Sequence, residues 1–334
     1  MFGKTLFFLA TAGVASALRP NDTTICDYYT PIVTGRENSP ESQYELMLKI
    51  THTFILGNYT TPNVGVQVMG VAAPATFEGH QVNLLPYFTG GYYSTNDGGD
   101  TGVAKNFLDG GGADALLQNI PAFGNSSNQY RLLTHVYQYF GEFYGCSQQG
   151  NDVFPKYEGR ASMFEVHKFM DSDKYEAGFF NQQIGLAVAS VGFEEADVNF
   201  TLTALDMTFT HRCSPPAAVI PASAGPQLQS ICVAPDCPLD PMADCSVYPN
   251  NGVIAQPAIA NATLVGDIAK QNETEDGATP SASPNPSSSA SASAASASAS
   301  STNGASNNVV LGSSTMTSCT LIALLGVGMF VLLL

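Results

Sequence analysis

The 334-residue chain predicts a mainly α-helical domain set between two processed ends and followed by a disordered stalk. Three observations predict this. Apolar residues recur at helical spacing in several segments between 39 and 209. A glycine-rich stretch, 57–124, interrupts them as a long irregular insertion. After residue 250 the composition shifts towards serine and alanine.

The first helix runs through Tyr44, Leu46, Leu48, Ile50, Phe54 and Ile55, with Ser39 and Ser42 as caps and Pro40-Glu41 in the first turn. A second spans Asn128 to Tyr144, where Leu132, Leu133, Val136, Phe140 and Phe143 make one apolar face. A third stretch carries Met163, Val166, His167 and Met170. A fourth covers Phe179 to Val191 and stops at Gly192. A fifth, Glu194 to Phe209, opens with acids at its positive end and buries Val198, Leu202, Leu205 and Phe209. Within 57–124, which holds the runs Val64 to Val68 and Val82 to Phe88, short strands, loops and one helix near Ala113 to Gln118 all stay open.

The two ends read as processing signals. Lys4, the apolar run Leu6 to Val14 and the small-residue site Ala15-Ser16-Ala17 form a secretory signal over 1–17. At the other end Leu321 to Leu334 is apolar to the last residue, preceded by a polar spacer and the cluster Asn303-Gly304-Ala305-Ser306. That order is the signal for a glycolipid (GPI) anchor near Asn303, with 304–334 as propeptide. A tail-anchored helix is the alternative, but fourteen residues fall short of the roughly 20 that cross a bilayer. The folded domain is expected over 18–250. A Ser/Ala-rich stalk follows over 251–303, too poor in apolar residues to offset its ordering entropy and of the composition that carries O-linked sugars. The layout resembles that of fungal wall proteins and implies a cell-surface location, on plasma membrane or wall.

Composition narrows the function. The net charge of −16 disfavours nucleic acid and anionic lipid as partners. Of seven cysteines, Cys319 lies in the propeptide. Cys26, Cys146, Cys213, Cys232, Cys237 and Cys245 remain for three disulfides, whose pairing spacing does not resolve. Cys232, Cys237 and Cys245 are expected to staple the C-terminal segment to the domain. Sequons at Asn21, Asn58, Asn125, Asn199, Asn261 and Asn272 allow N-glycosylation, and each one used must face solvent.

Catalytic motifs are sparse. Gly110-Gly111-Gly112 lacks the Lys-Ser/Thr of a phosphate loop. There is no Gly-x-Ser-x-Gly elbow. Among the acidic clusters, Glu194-Glu195 caps a helix, Asp171 and Asp173 nominate no partner, and Glu273, Glu275 and Asp276 lie in the stalk, so no glycosidase pair stands out. His52, His80 and His211 have no partner pattern.

The context of His167 differs. Pro86-Tyr87-Phe88 precedes a helix carrying Arg131-Leu132 and Tyr139-Phe140. Tyr157 and Gly159 follow, Met163 stands four residues before His167, and Gly192 divides the last two helices. This order resembles the group I truncated haemoglobins, over roughly 131–210 plus Pro86 to Phe88. The resemblance implies a globin-like fold that binds haem b, with His167 as the axial iron ligand. It implies that Phe88 packs on the haem edge, that Leu132, Val136 and Phe140 line the distal face, that Met163 sits by the proximal face, and that Phe180 closes the pocket. The chain departs from the family where oxygen is held. Phe54 or Ile55, and Leu132 and Val136, stand where oxygen-holding members carry tyrosine and glutamine. His135 is expected to point about 100° away from Val136. There is also one extra residue between Tyr157 and Met163, and the insertion has no family counterpart. Oxygen transport is therefore not implied. Haem sensing, scavenging, gas binding or peroxide chemistry is one function class. A cofactor-free, non-enzymatic wall or interaction glycoprotein is the other.

Overall fold

The computed structural model describes residues 19–60 and 64–266. The segment expected as signal peptide, most of the expected stalk, the expected anchor propeptide and the sequon at Asn272 lie outside the described residues. Among the described residues 43% are helical and 7% extended, so the chain is mainly α.

Helix α1 (Ile25–Thr34) follows its N-cap Thr24 and ends at Gly35, whose φ of 68° suits glycine. Sequence reasoning did not place it, because Pro31 lies inside it and proline usually ends a helix. Helix α2 (Pro40–Leu56) starts with the expected serine pair. Ser42 N–H donates to Ser39 Oγ at 3.3 Å and Ser39 N–H donates to Ser42 Oγ at 2.8 Å. Helices α5 (Asn128–Phe143), α7 (Lys174–Ser190) and α8 (Glu195–Phe209) match the other periodic segments. Helix α7 begins five residues earlier than the apolar pattern, because Asp173 and Glu176 form a capping box there.

The core centres on α2, which packs on α1, α5 and α7. Leu46, Met47 and Ile50 of α2 and Ile184, Ala187 and Val188 of α7 are fully buried. Helix α8 folds back on α7 after Gly192. The two approach so closely at Gly185 that an added Cβ would come within 2.6 Å of Leu202. A larger residue there would force the helices apart.

Little of the insertion is sheet. Its only paired strands among the described residues are β1 (Ala75–Phe77) and β2 (His80–Val82), an antiparallel hairpin turning through Glu78 and Gly79 at φ 50° and 84°. Residues 64–68 belong to no sheet. The run Val82 to Phe88 is not one strand: Val82 ends β2, and Pro86 sits in the first turn of helix α3 (Leu85–Thr89). Helix α4 (Gly112–Leu117) falls where a helix was among the possibilities. The insertion is pinned to the core through its backbone. Gln183 Oε1 accepts from Met69 N–H and Gly70 N–H at 3.1 and 3.0 Å, and Val71 N–H donates to Phe54 O at 2.8 Å.

The third periodic stretch becomes the one-turn helix α6 (Met163–His167). The three disulfides pair Cys26 with Cys146, Cys213 with Cys245 and Cys232 with Cys237, which fits an oxidising compartment. The five sequon asparagines among the described residues are all exposed. No described helix is long and apolar enough to cross a membrane.

The boundary expected at residue 250 falls short of the fold. Ala260 N–H donates to Gly91 O at 2.8 Å and Tyr93 N–H to Ala258 O at 2.9 Å. Beyond them helix α9 (Ala262–Val265) buries Val265 to 1% exposure. Residues 251–266 carry few apolar groups, but their backbone pairs with the chain at Gly91–Tyr93 and removes the entropy argument for a free stalk there.

A cavity at the candidate haem site

A cavity of about 480 Å³ opens between α3, α5, α6, α7 and α8. That lies within the roughly 300–1,000 Å³ of small-molecule and cofactor sites. Phe88, Leu132, Val136, Phe140, Met163, His167 and Phe180, the seven residues nominated by sequence, all line it. They come from four separate helices, α3, α5, α6 and α7. Phe88, Leu132, Val136, His167 and Phe180 are only half-buried. Aromatic contacts brace the walls: Phe54 meets Phe140 and Phe180 edge-on at 5.9 and 5.7 Å between ring centroids.

Helix α6 has only five residues and needs tertiary support to stand. Ser162 Oγ accepts from Glu165 N–H at 3.1 Å as the N-cap and donates to Leu228 O at 2.6 Å. Met163 N–H donates to Gln229 Oε1 at 3.2 Å and Phe164 N–H to Leu228 O at 3.3 Å. Phe164 is fully buried against Tyr248, with ring centroids 4.8 Å apart and planes at 87°. The segment 228–248 therefore holds α6 in place.

His167 is fixed by its own helix. Its Nδ1 lies 2.8 Å from Met163 O. A carbonyl only accepts, so Nδ1 carries the proton and Nε2 keeps its lone pair. Nε2 makes no hydrogen bond among the described residues. Burial holds the His167 pKa below its ordinary 6.5, with the bond to Met163 opposing, so the ring is neutral at pH 7. A neutral imidazole with one nitrogen tied to a backbone carbonyl and the other free is the arrangement metal-binding histidines adopt. Among the described residues no group of three or more His, Cys, Asp or Glu would hold a bare metal ion.

Helix α5 forms the widest wall. At about 100° per residue, Leu132, Val136 and Phe140 cover about 80° of its surface. His135 was expected to turn away from them, but it too lines the cavity. It lies about 60° to the other side of Leu132, and the cavity meets nearly half of the helix circumference. The distal wall is thus not purely apolar.

Charged groups also line the cavity: Arg131, of the pair Arg131-Leu132, and Lys105, Arg160, Asp97 and Glu158, which the sequence did not single out. Lys105 pairs with Asp97. Arg160 Nη2 donates to Asn96 O at 3.2 Å. Arg131 is exposed and has no ion pair among the described residues. Burial and the charge of Arg131 hold the Lys105 pKa below its ordinary value. Deeper in, Tyr87 O–H donates to Glu176 Oε1 at 3.0 Å.

The remaining histidines sit elsewhere. His52 is fully buried between Tyr137 and α4, His80 stacks on Tyr175 at 3.6 Å, and His211 lies just beyond α8. Compared with known proteins, the chain matches no family model, no curated protein and no solved structure.

Proposed function

We propose that this chain is an extracellular, GPI-anchored haem protein with a globin-like helical domain and His167 as the axial ligand. One observation carries the reading. Seven residues chosen from sequence order alone converge on one cofactor-sized cavity, and the nominated ligand has the tautomer that leaves Nε2 free.

The residues present fit the group. A flat macrocycle needs broad apolar walls, which Phe88, Leu132, Val136, Phe140 and Phe180 supply. Its iron needs one strong neutral donor, which His167 supplies. Its carboxylates need cations at an edge, which Lys105 and Arg160 supply in a chain that is otherwise strongly acidic. Haem bound here supplies an iron centre that binds small ligands or changes oxidation state. The chain would orient that centre through His167, held by Met163 O, and would flank it with its aromatic walls.

The test is an absorption spectrum of the secreted protein produced with haem supplied, beside His167→Ala. A Soret band lost in the variant, with the far-ultraviolet helix signal intact, is expected. A colourless, folded wild type would return the chain to the cofactor-free surface-glycoprotein class. A band unchanged in the variant would remove His167 from the iron.

A further inference from the structure

We propose that His135 is the acid–base group of the cavity, taking the proton that a small weak acid such as hydrogen peroxide gives up on binding there, with Arg131 holding the charge of the resulting anion. The proposal rests on the haem reading and adds a role for two side chains outside that reading's ligand set. Both line the same cavity as His167, from a different helix.

Three observations single out His135. It is half-buried in the cavity wall, yet neither ring nitrogen has a hydrogen-bond partner among the described residues. A histidine kept only for packing usually has at least one such partner. Its ring meets Tyr157 edge-on, with centroids 6.1 Å apart and planes at 73°, so the contact fixes the ring without using its nitrogens. Finally, Arg131 stands one turn earlier on α5, at the i−4 position. Every charged group that bears on the ring can be named. Burial and Arg131 lower its pKa below the ordinary 6.5, and Glu158 opposes them. The imidazole is therefore mostly neutral at pH 7 and free to accept a proton. Lys105 is already paired with Asp97 and Arg160 donates to Asn96 O, which leaves Arg131 as the cation free to face an anion.

The step balances without an oxidant. An O–H bond of H–O–O–H breaks, an N–H bond forms on His135, and the electron pair stays on oxygen as hydroperoxide. No electron changes hands, and Arg131 lies one turn from the imidazolium that forms. General-base assistance of this kind contributes about 10²–10⁴-fold to rate.

Hydrogen cyanide is the probe, because it is a weak acid of similar size that must also lose its proton to bind ferric iron. The haem-loaded, full-length secreted protein is compared with His135→Leu by stopped-flow absorption. The cyanide association rate is expected to fall by about a hundredfold or more, while carbon monoxide, which carries no proton, binds ferrous protein at an unchanged rate. In the haem-free protein, proton NMR should place the His135 titration below 6.5, and Arg131→Gln should raise it. An unchanged cyanide rate, an equal slowing of carbon monoxide, or a titration that ignores Arg131→Gln would each overturn the proposal and leave the haem reading standing. Absence of a Soret band in the wild type would end both.

Discussion

His52 gives a prediction that needs no cofactor. It is fully buried, with Nδ1 3.0 Å from Leu116 O and Nε2 2.6 Å from Tyr137 Oη. The carbonyl fixes the proton on Nδ1, so Nε2 accepts from the Tyr137 hydroxyl. Protonating Nε2 sets an N–H against that O–H and places an unpaired charge among Tyr137, Tyr59 and the α4 backbone. Burial accordingly pushes the His52 pKa down to about 4 from its ordinary 6.5. A depressed folded-state value means the unfolded chain binds the proton more tightly. The stabilisation is complete above pH 6.5, is lost as pH falls towards 4, and changes no further below that. The shift is worth about 3 kcal/mol, of which about 2 kcal/mol has gone by pH 5. The assay is urea unfolding at pH 7, 6, 5 and 4 for wild type and His52→Gln. His135 and His167 also titrate low in the folded state, but they are common to both proteins and cancel in the difference. The variant should start less stable and lose less on acidification. Parallel losses over the whole range would refute the reasoning.

The remaining predictions concern the cell surface and the crosslinks. Ending the chain at Asn303 should release the protein into the medium; retention on the cell would remove the GPI reading. On loop entropy alone, the pair Cys26→Ala/Cys146→Ala, which opens a 120-residue loop, should cost about 5 kcal/mol. Opening the 32-residue loop of Cys213–Cys245 should cost about 4 kcal/mol, read from urea midpoints at pH 7.

The long helices were legible in the sequence because their apolar spacing outruns any strand pattern: α2, α5 and α8 begin and end close to where caps and periodicity put them, and α7 stops just before Gly192 as expected but starts five residues early. Helix α1 was not, since Pro31 masks it, and the Glu78-Gly79 turn of the hairpin carries no Asn-Gly or Asp-Gly signal. Residues 251–266 read as stalk because their attachment is made by backbone hydrogen bonds, which leave little trace in side-chain composition. The cavity walls were legible through the order of Pro86, Arg131, Tyr157, Met163 and His167. Its other charged residues were not. Lys105 and Arg160 come from irregular segments with no period to read, and His135 was discounted because the wall was taken to be a narrow stripe rather than half a helix.

The two larger disulfides are expected to rank differently for stability and for the site, and that difference ties secretion to function. Cys26–Cys146 joins α1 to the end of α5, so its loss is felt as chain entropy. Cys213–Cys245 encloses the segment 228–231, which supplies the Leu228 and Gln229 acceptors holding α6. Cys232–Cys237 sits where Val233 and Ala234 N–H groups both donate to Ser172 O, just beyond His167. A helix of five residues has too little cooperativity to survive the loss of those anchors. Opening Cys213–Cys245 should therefore let His167 drift while α2, α5 and α7 stay packed. The measurement is haem affinity of the two double variants at a urea-free pH 7. Cys213→Ala/Cys245→Ala should bind haem more weakly than Cys26→Ala/Cys146→Ala despite the smaller loss of global stability. If affinity instead follows stability, α6 is held by the core as a whole, and the C-terminal segment is a cover rather than the support of the site.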